Sequence, residues 1–256
     1  MKEQSFDKYS LSKKIKHSDF YKVKNLTDKN IFDQVIDESY QLAHGLTAPT
    51  ISKTISKNKD VYYVDTLSYK LILRKLQSNL RDKIEGDKLQ RNEIIRNLVS
   101  YLREGVKSKI ICIDLKSFYE SIDIDVLLSK IAKVNSLSYH SKKIIEVVLE
   151  EHRNIGGKGV PRGLEFSSLL ADLYLKDFDE WIKGIDGVFI YKRFVDDIII
   201  MTDHKIDEQV IISSIKNELP KKLCLNEIKT QIIEIKKRSH SPQNTEGKLA
   251  ATIDYL

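Results

Sequence analysis

Apolar residues recur every three or four positions in six stretches of this chain, the spacing of one buried helix face. Phe32, Val35, Ile36, Tyr40 and Ala43 predict a helix over 31–43. Ile95, Leu98, Val99 and Leu102, followed by Gly105, predict another over 92–104. Further helices are expected over 124–131, 141–149 and 207–219, the last stopped by Pro220. Phe166, Leu170, Leu173, Tyr174, Phe178 and Trp181 mark the sixth, and their stripe reads as core packing. Elsewhere the pattern changes to short runs rich in β-branched residues, over 109–114, 188–191, 198–201 and 230–235, which read as strands. This mixture predicts an α+β fold, an antiparallel sheet with helices packed on one side.

Acids sit where several of the strand runs end. Val188 to Tyr191 leads into Asp196–Asp197 and Ile198 to Met201 leads out, so the segment reads as two strands joined at an acidic pair. Desolvation and mutual repulsion both oppose ionisation of two neighbouring carboxylates in apolar surroundings. A divalent cation relieves both, because hard metals take carboxylate oxygen. The pair also suits a plain tight hairpin turn. Asp114 closes the run 109–114 and is equally placed to cap the turn that follows. If these strands pair, Asp114 lies beside the acidic turn. Three carboxylates can then hold two metal ions roughly 4 Å apart, stabilising the attacking and leaving oxygens of phosphoryl transfer.

Four of the ten glycines fall within Gly156–Gly163. Glycine permits positive φ and close approach, which suits a loop passing near a base or phosphate and equally a plain connection. Upstream, Lys70, Arg74, Lys75, Arg81, Lys83, Lys88, Arg91 and Arg96 fit either anionic contacts or a solvated helix face. Arg74, beside Leu71, Ile72 and Leu73, stands out because an arginine in an apolar run needs a specific anionic partner.

In order, these segments resemble the polymerase motifs of reverse transcriptases. Asp114-Leu-Lys-Ser-Phe-Tyr119-Glu-Ser-Ile122 resembles motif A, and Gly159-Val-Pro-Arg-Gly163 with Ser167, Ser168, Leu170 and Ala171 resembles motif B. Phe194-Val-Asp-Asp197 resembles the Y-x-D-D of motif C. Leu223-Cys-Leu-Asn-Glu-Ile-Lys229-Thr230 resembles motif D, with the family lysine at Lys229. Group II intron, retron and retroviral enzymes usually carry Gln after the motif B proline, where this chain has Arg162. That form, the motif A sequence and Arg91-Asn-Glu-Ile-Ile-Arg96 are similar to the bacterial abortive-infection, defence-associated (antiphage) group.

The resemblance implies right-hand polymerase architecture, with an N-terminal segment and fingers over 1–107 and a palm over 108–256. Ile253-Asp-Tyr-Leu256 resembles the start of the primer grip, and no thumb is evident. It implies a two-metal DNA polymerase adding deoxynucleotides to a 3′-hydroxyl, either RNA-templated or template-independent and protein-primed, acting in antiphage defence. Asp114, Asp196 and Asp197 would be the catalytic residues and hold two Mg²⁺, with Mn²⁺ as substitute. Tyr119, Arg162, Gly163, Arg74 and Lys229 would contact the nucleotide, Tyr119 against the sugar 2′ position. The implied partners are deoxynucleoside triphosphates, RNA or DNA including a dedicated non-coding RNA, and a second copy or partner protein. Competing readings are a retron- or intron-like template copier, a viral-type RNA polymerase, opposed by Tyr119, and a silent nucleic-acid-binding scaffold, opposed by the three carboxylates.

Composition adds little to this. A formal charge of +6 and a pI near 9.0 suit a polyanionic partner, although 37 acids offset 43 bases. Cys112 and Cys224 fall in predicted strands and read as small buried residues in a reduced, cytoplasmic protein. The six histidines show no zinc spacing, and neither a signal peptide nor a membrane-length apolar run is expected.

Overall fold

The computed structural model describes residues 4–84 and 91–235. In chain order the elements are α1 (Lys8–Ser12), α2 (Asp19–Lys22), α3 (Lys29–His44), β1 (Ile51–Ser56), β2 (Lys59–Val64), α4 (Leu67–Ile84), α5 (Arg91–Arg103), β3 (Ser108–Lys116), α6 (Phe118–Ser121), α7 (Ile124–Lys133), α8 (Tyr139–Asn154), α9 (Ser167–Lys183), β4 (Val188–Phe194), β5 (Asp197–Asp203), α10 (Glu208–Glu218), β6 (Cys224–Leu225) and β7 (Gln231–Ile235). All six helices expected from periodicity are present, with ends moved by a few residues. The expected loop over 238–248, Lys88 and the Ile253–Leu256 segment lie outside the described residues.

The chain forms two compact units, Met1–Gly86 with Tyr119–Tyr174, and Asp87–Phe118 with Leu175–Leu256. They do not follow a single cut at 107/108. The reason is that β3 finds its strand partners far along the chain, so hydrogen bonding rather than chain order groups the segments.

In the first unit α4 is the central helix. Leu71, Ile72, Leu73, Leu76 and Leu80 are buried nearly all round it, which hides the one-sided periodicity of an amphipathic helix. The β1–β2 hairpin turns through Lys57 and Asn58, both left-handed (φ 49° and 59°), the geometry of a two-residue turn that matches strand twist. Neither element stands out in the sequence, because no Asn-Gly marks the turn and α4 shows a run rather than a stripe.

In the second unit the sheet order is β4-β5-β3-β6, with β7 also paired to β3, and all pairings are antiparallel. One face is a buried apolar core: Ile94 and Leu98 of α5 pack with Ile110 and Cys112 of β3, Ile199 and Met201 of β5, Ile190 and Ile235. Lys109 at the far end reaches Glu208 and the Ile206 carbonyl, tying α10 to β3.

Candidate active site

Cross-strand register builds the site. On β3 and β5, Ile110 faces Met201, Cys112 faces Ile199 and Asp114 faces Asp197. Side chains alternate in a strand, so all three pairs share one face, and an apolar ladder ends in two directly opposed acids. The Leu115 N–H donates to the Asp196 carbonyl (3.1 Å), which brings the third acid to the same end. Like charges opposed across strands are destabilising by themselves. Their field is felt along the ladder: burial, and then the Asp197 charge, push the Cys112 thiol up to about 11.

A break in the neighbouring strand supplies the counter-charge. β6 pairs with Leu115 and Lys116, and β7 with Ser108 to Cys112, so residues 226–230 bulge out opposite the Asp114 level. The Asn226 N–H donates to the Asp114 carbonyl (2.8 Å) and its side-chain amide to Asp114 Oδ1 (2.8 Å). Lys229 Nζ donates to Asp114 Oδ2 (3.2 Å) from a side chain that is 64% exposed. Asn226 lies inside the motif D stretch, three residues before Lys229, and its hold on Asp114 shows only in the fold.

The acidic turn is held from behind. Val195 takes φ +60°, a strained conformation for a β-branched residue that costs about 1–3 kcal/mol. Arg193, buried, donates to the Val195 carbonyl (3.1 Å), and to both oxygens of Asp179 on α9. Tyr191 donates to Asp179 as well (2.5 Å), and burial raises its phenol well above the usual range. This Asp179–Arg193–Tyr191 network escapes a motif search, because Asp179 is brought in by α9.

The first unit gathers a second group. Arg162 lies over the Tyr119 ring (4.8 Å) and its Nη2 faces both Glu120 oxygens at 3.3 and 3.4 Å. Its Nε–H is buried with no hydrogen-bond acceptor. The glycines allow close backbone contact here. A Cβ on Gly159 (φ +60°) would meet the Tyr119 carbonyl at 2.0 Å, while Val160 N–H donates to that same oxygen. A Cβ on Gly163 (φ +109°) would meet Tyr62 O at 2.6 Å, where Tyr62 N–H donates to the Arg162 carbonyl. Gly163 therefore fits the loop against β2. His152, buried beneath Gly157 and edge-on to Tyr62, props the same loop, and its burial lowers its pKa.

Arg74 has the anionic partner that its apolar setting demanded, but the partner is in the chain. Its guanidinium clasps Asp19 (2.5 and 2.9 Å) and donates to the Lys14 carbonyl, with Asp19 buried and the Arg74 side chain only 10% exposed. These hydrogen bonds hold the Asp19 carboxyl below the usual carboxylate range. An arginine committed in this way is a structural staple. Cys112 is buried as expected; Cys224 is exposed, because the two-residue β6 leaves its outer face uncovered.

As a donor set, three carboxylates at one end of the β3–β5 pair fit hard divalent cations. They are not a closed cage: among the described residues no three acid, imidazole or thiol groups are set out to hold a metal ion, and Asp114 is turned onto Asn226 and Lys229. The Lys229 ammonium brings to Asp114 the positive charge that a metal would bring.

Residues 55–253, more than three-quarters of the chain, match the family described as reverse transcriptase (RNA-dependent DNA polymerase). The chain belongs to the reverse transcriptase family. No curated protein matches it. Among solved structures, the chain is similar to apo telomerase from Candida tropicalis truncated from its C-terminal domain, with TM-score 0.52 and 16% identity over 78% of this chain and 52% of that one. It is also similar to apo telomerase from the same organism, with TM-score 0.51 and 14% identity over 80% of this chain and 48% of that one. The likeness is one of fold, and the chain spans about half the length of those telomerase chains. The reverse transcriptase fold, α+β with fingers and an antiparallel palm, is thereby the fold of this protein. No helix among the described residues is long and apolar enough to cross a membrane.

Proposed function

We propose that this reverse transcriptase is a metal-dependent DNA polymerase of the defence-associated type, adding deoxynucleotides to a 3′-hydroxyl. The observation that carries the reading is the acidic end of the ladder: Asp114 opposite Asp197, with Asp196 tied to the same strand end. Asp114, Asp196 and Asp197 would hold two Mg²⁺, with Mn²⁺ as substitute. When bound, the ions supply charge stabilisation for the attacking and leaving oxygens. Lys229 neutralises Asp114 before the ions bind, and its exposed stem lets it swing away. Tyr119 bars a ribose 2′-hydroxyl, and Arg162 presents its guanidinium from the Tyr119 face to the nucleotide.

Support for the defence type comes from motif B, where Arg162 replaces Gln, together with the motif A and Arg91–Arg96 forms. Synthesis is either RNA-templated or template-independent and protein-primed, the two modes that the resemblance implies. The two free cysteines fit a reducing, cytoplasmic compartment.

The test is deoxynucleotide incorporation by the purified protein with and without an RNA template, beside Asp114→Ala and Asp196→Ala. Loss of incorporation in both variants is expected, and retention in either removes the site assignment. Phage plating on cells expressing the wild-type protein or Asp196→Ala tests the defence role.

A further inference from the structure

From Lys8 to Lys24 the chain carries six lysines against one carboxylate, Asp19, a formal +5 of the +6 of the whole chain. Asp19 is turned inward onto Arg74, so the acid is hidden and the cations face out. Lys13, Lys16, Lys22 and Lys24 are exposed; Lys8 is exposed and paired with Asp37 at 2.6 Å. Among these lysines stand Tyr9, Phe20 and Tyr21, which are 67%, 40% and 80% exposed. Lys13 Nζ lies 3.9 Å from the Tyr9 ring, and His17 packs edge-on to Tyr21.

This segment is held on a firm base. Arg74 donates to the Lys14 carbonyl and to Asp19, the Lys16 N–H donates to Asp19 (2.8 Å), and Leu11 and Leu26 are fully buried at its two ends. Apolar residues of the segment thus already fill the core, while three rings remain in water beside four cations. Asp33 and Asp37 of α3 line the cavity beside Lys8 and Tyr9, so the cationic part of the surface runs from Lys13 to Lys24. Isolated exposed rings are ordinary on a protein surface, but rings interleaved with cations form the surface that single-stranded nucleic acid fits. Lysines meet the phosphates, and bases stack on the rings.

We infer that the segment from α1 through α2 to Lys24 forms a binding surface for single-stranded nucleic acid. The surface lies before the residues that match the family, so no polymerase motif assigns it. The inference rests on the proposed function only for the class of polyanion. An anionic membrane also attracts basic aromatic segments, but it takes up helices with a continuous apolar face. α1 and α2 have five and four residues, too short to present one.

The test is fluorescence anisotropy of a 5′-labelled oligouridylate of roughly 20 nucleotides, long enough to span such a site. It uses the whole chain in EDTA, so that no metal-dependent step enters, at several salt concentrations. Tyr9→Ala/Phe20→Ala/Tyr21→Ala is expected to weaken binding about tenfold or more. Lys13→Gln/Lys16→Gln/Lys22→Gln/Lys24→Gln is expected to reduce the log–log salt slope by about 3. Tyr21→Ala alone, at the most exposed ring, should weaken binding with an unchanged circular dichroism spectrum, which separates the effect from misfolding. Wild-type affinity and slope in the multiple variants overturn the inference. So does loss of binding to phosphatidylserine vesicles with oligouridylate binding intact. If the wild-type protein incorporates deoxynucleotides but the variants bind RNA as it does, only this surface is lost; if the wild-type protein neither binds nor incorporates, the proposed function falls too.

Discussion

Asp19–Arg74 and Asp114–Lys229 are both carboxylate–cation pairs, one in each compact unit, yet they are built for different ends. In the first, the carboxylate is buried and the guanidinium nearly so; the guanidinium engages both oxygens and also ties down a backbone carbonyl. In the second, the carboxylate is nearly buried but the lysine is 64% exposed and makes one bond of 3.2 Å to Asp114. A buried bidentate pair resists exchange, because parting it leaves a charge without water. An exposed ammonium leaves at little cost, since solvent replaces what it gave up. The comparison shows that a charged side chain in an apolar sequence context becomes a candidate site only where its counter-ion can be exchanged.

The sharpest way to break the comparison is to remove the carboxylates. Asp114→Ala or Asp196→Ala should lower deoxynucleotide incorporation by a factor of about a thousand or more, on the scale of losing a group that organises charge in the transition state. Thermal stability should hold or rise, because opposed like charges are relieved. A variant that melts early and recovers activity on cooling would place these acids with the structural pair instead. Asp19→Ala should do the opposite, costing about 3–5 kcal/mol of stability by stranding a buried guanidinium. Incorporation per folded molecule should be retained, and denaturant unfolding beside a single-turnover assay separates the two effects.

Acid titration sharpens the contrast. The Asp19 carboxyl is depressed below its ordinary 3.8 by hydrogen bonds from Arg74. The stability it contributes is therefore present above about pH 3.8, and is lost as pH falls through the lower folded value. Asp19→Leu/Arg74→Met should unfold with a flatter acid limb than the wild type, followed by circular dichroism. An equally steep limb would show that Asp19 does not set it.

Smaller effects belong to the Arg162 group. Arg162→Gln should change the ratio in which the four deoxynucleotides are used, and Tyr119→Ala should raise ribonucleotide use, each by about tenfold as for loss of a single specifying contact. Uniformly weaker use of all four nucleotides by Arg162→Gln would assign the guanidinium to phosphate. Smallest of all, Lys229→Ala should shift stability by no more than about 1 kcal/mol, as expected of an exposed pair. A larger loss on thermal melting would make Asp114–Lys229 a staple like its counterpart.

Sequence alone determined what repeats locally: six helices at a period near 3.6, strands as β-branched runs, and four motifs in family order from Asp114 to Thr230. It also singled out the three aspartates, because acids that interrupt apolar runs are costly and therefore visible. Tertiary structure decided the partners. The same reasoning that made Arg74 a nucleotide contact identified a real need for an anion, but only the fold shows Asp19 filling it. Glu120 against Arg162, Asn226 on Asp114 and Asp179 behind the Val195 turn lie 42, 112 and 12 or more residues from the groups they serve. Hydrogen bonds and ion pairs act over a few ångströms of space and are indifferent to separation along the chain, so a side chain's need can be read from its neighbours in sequence, while the group that meets it is chosen by the fold.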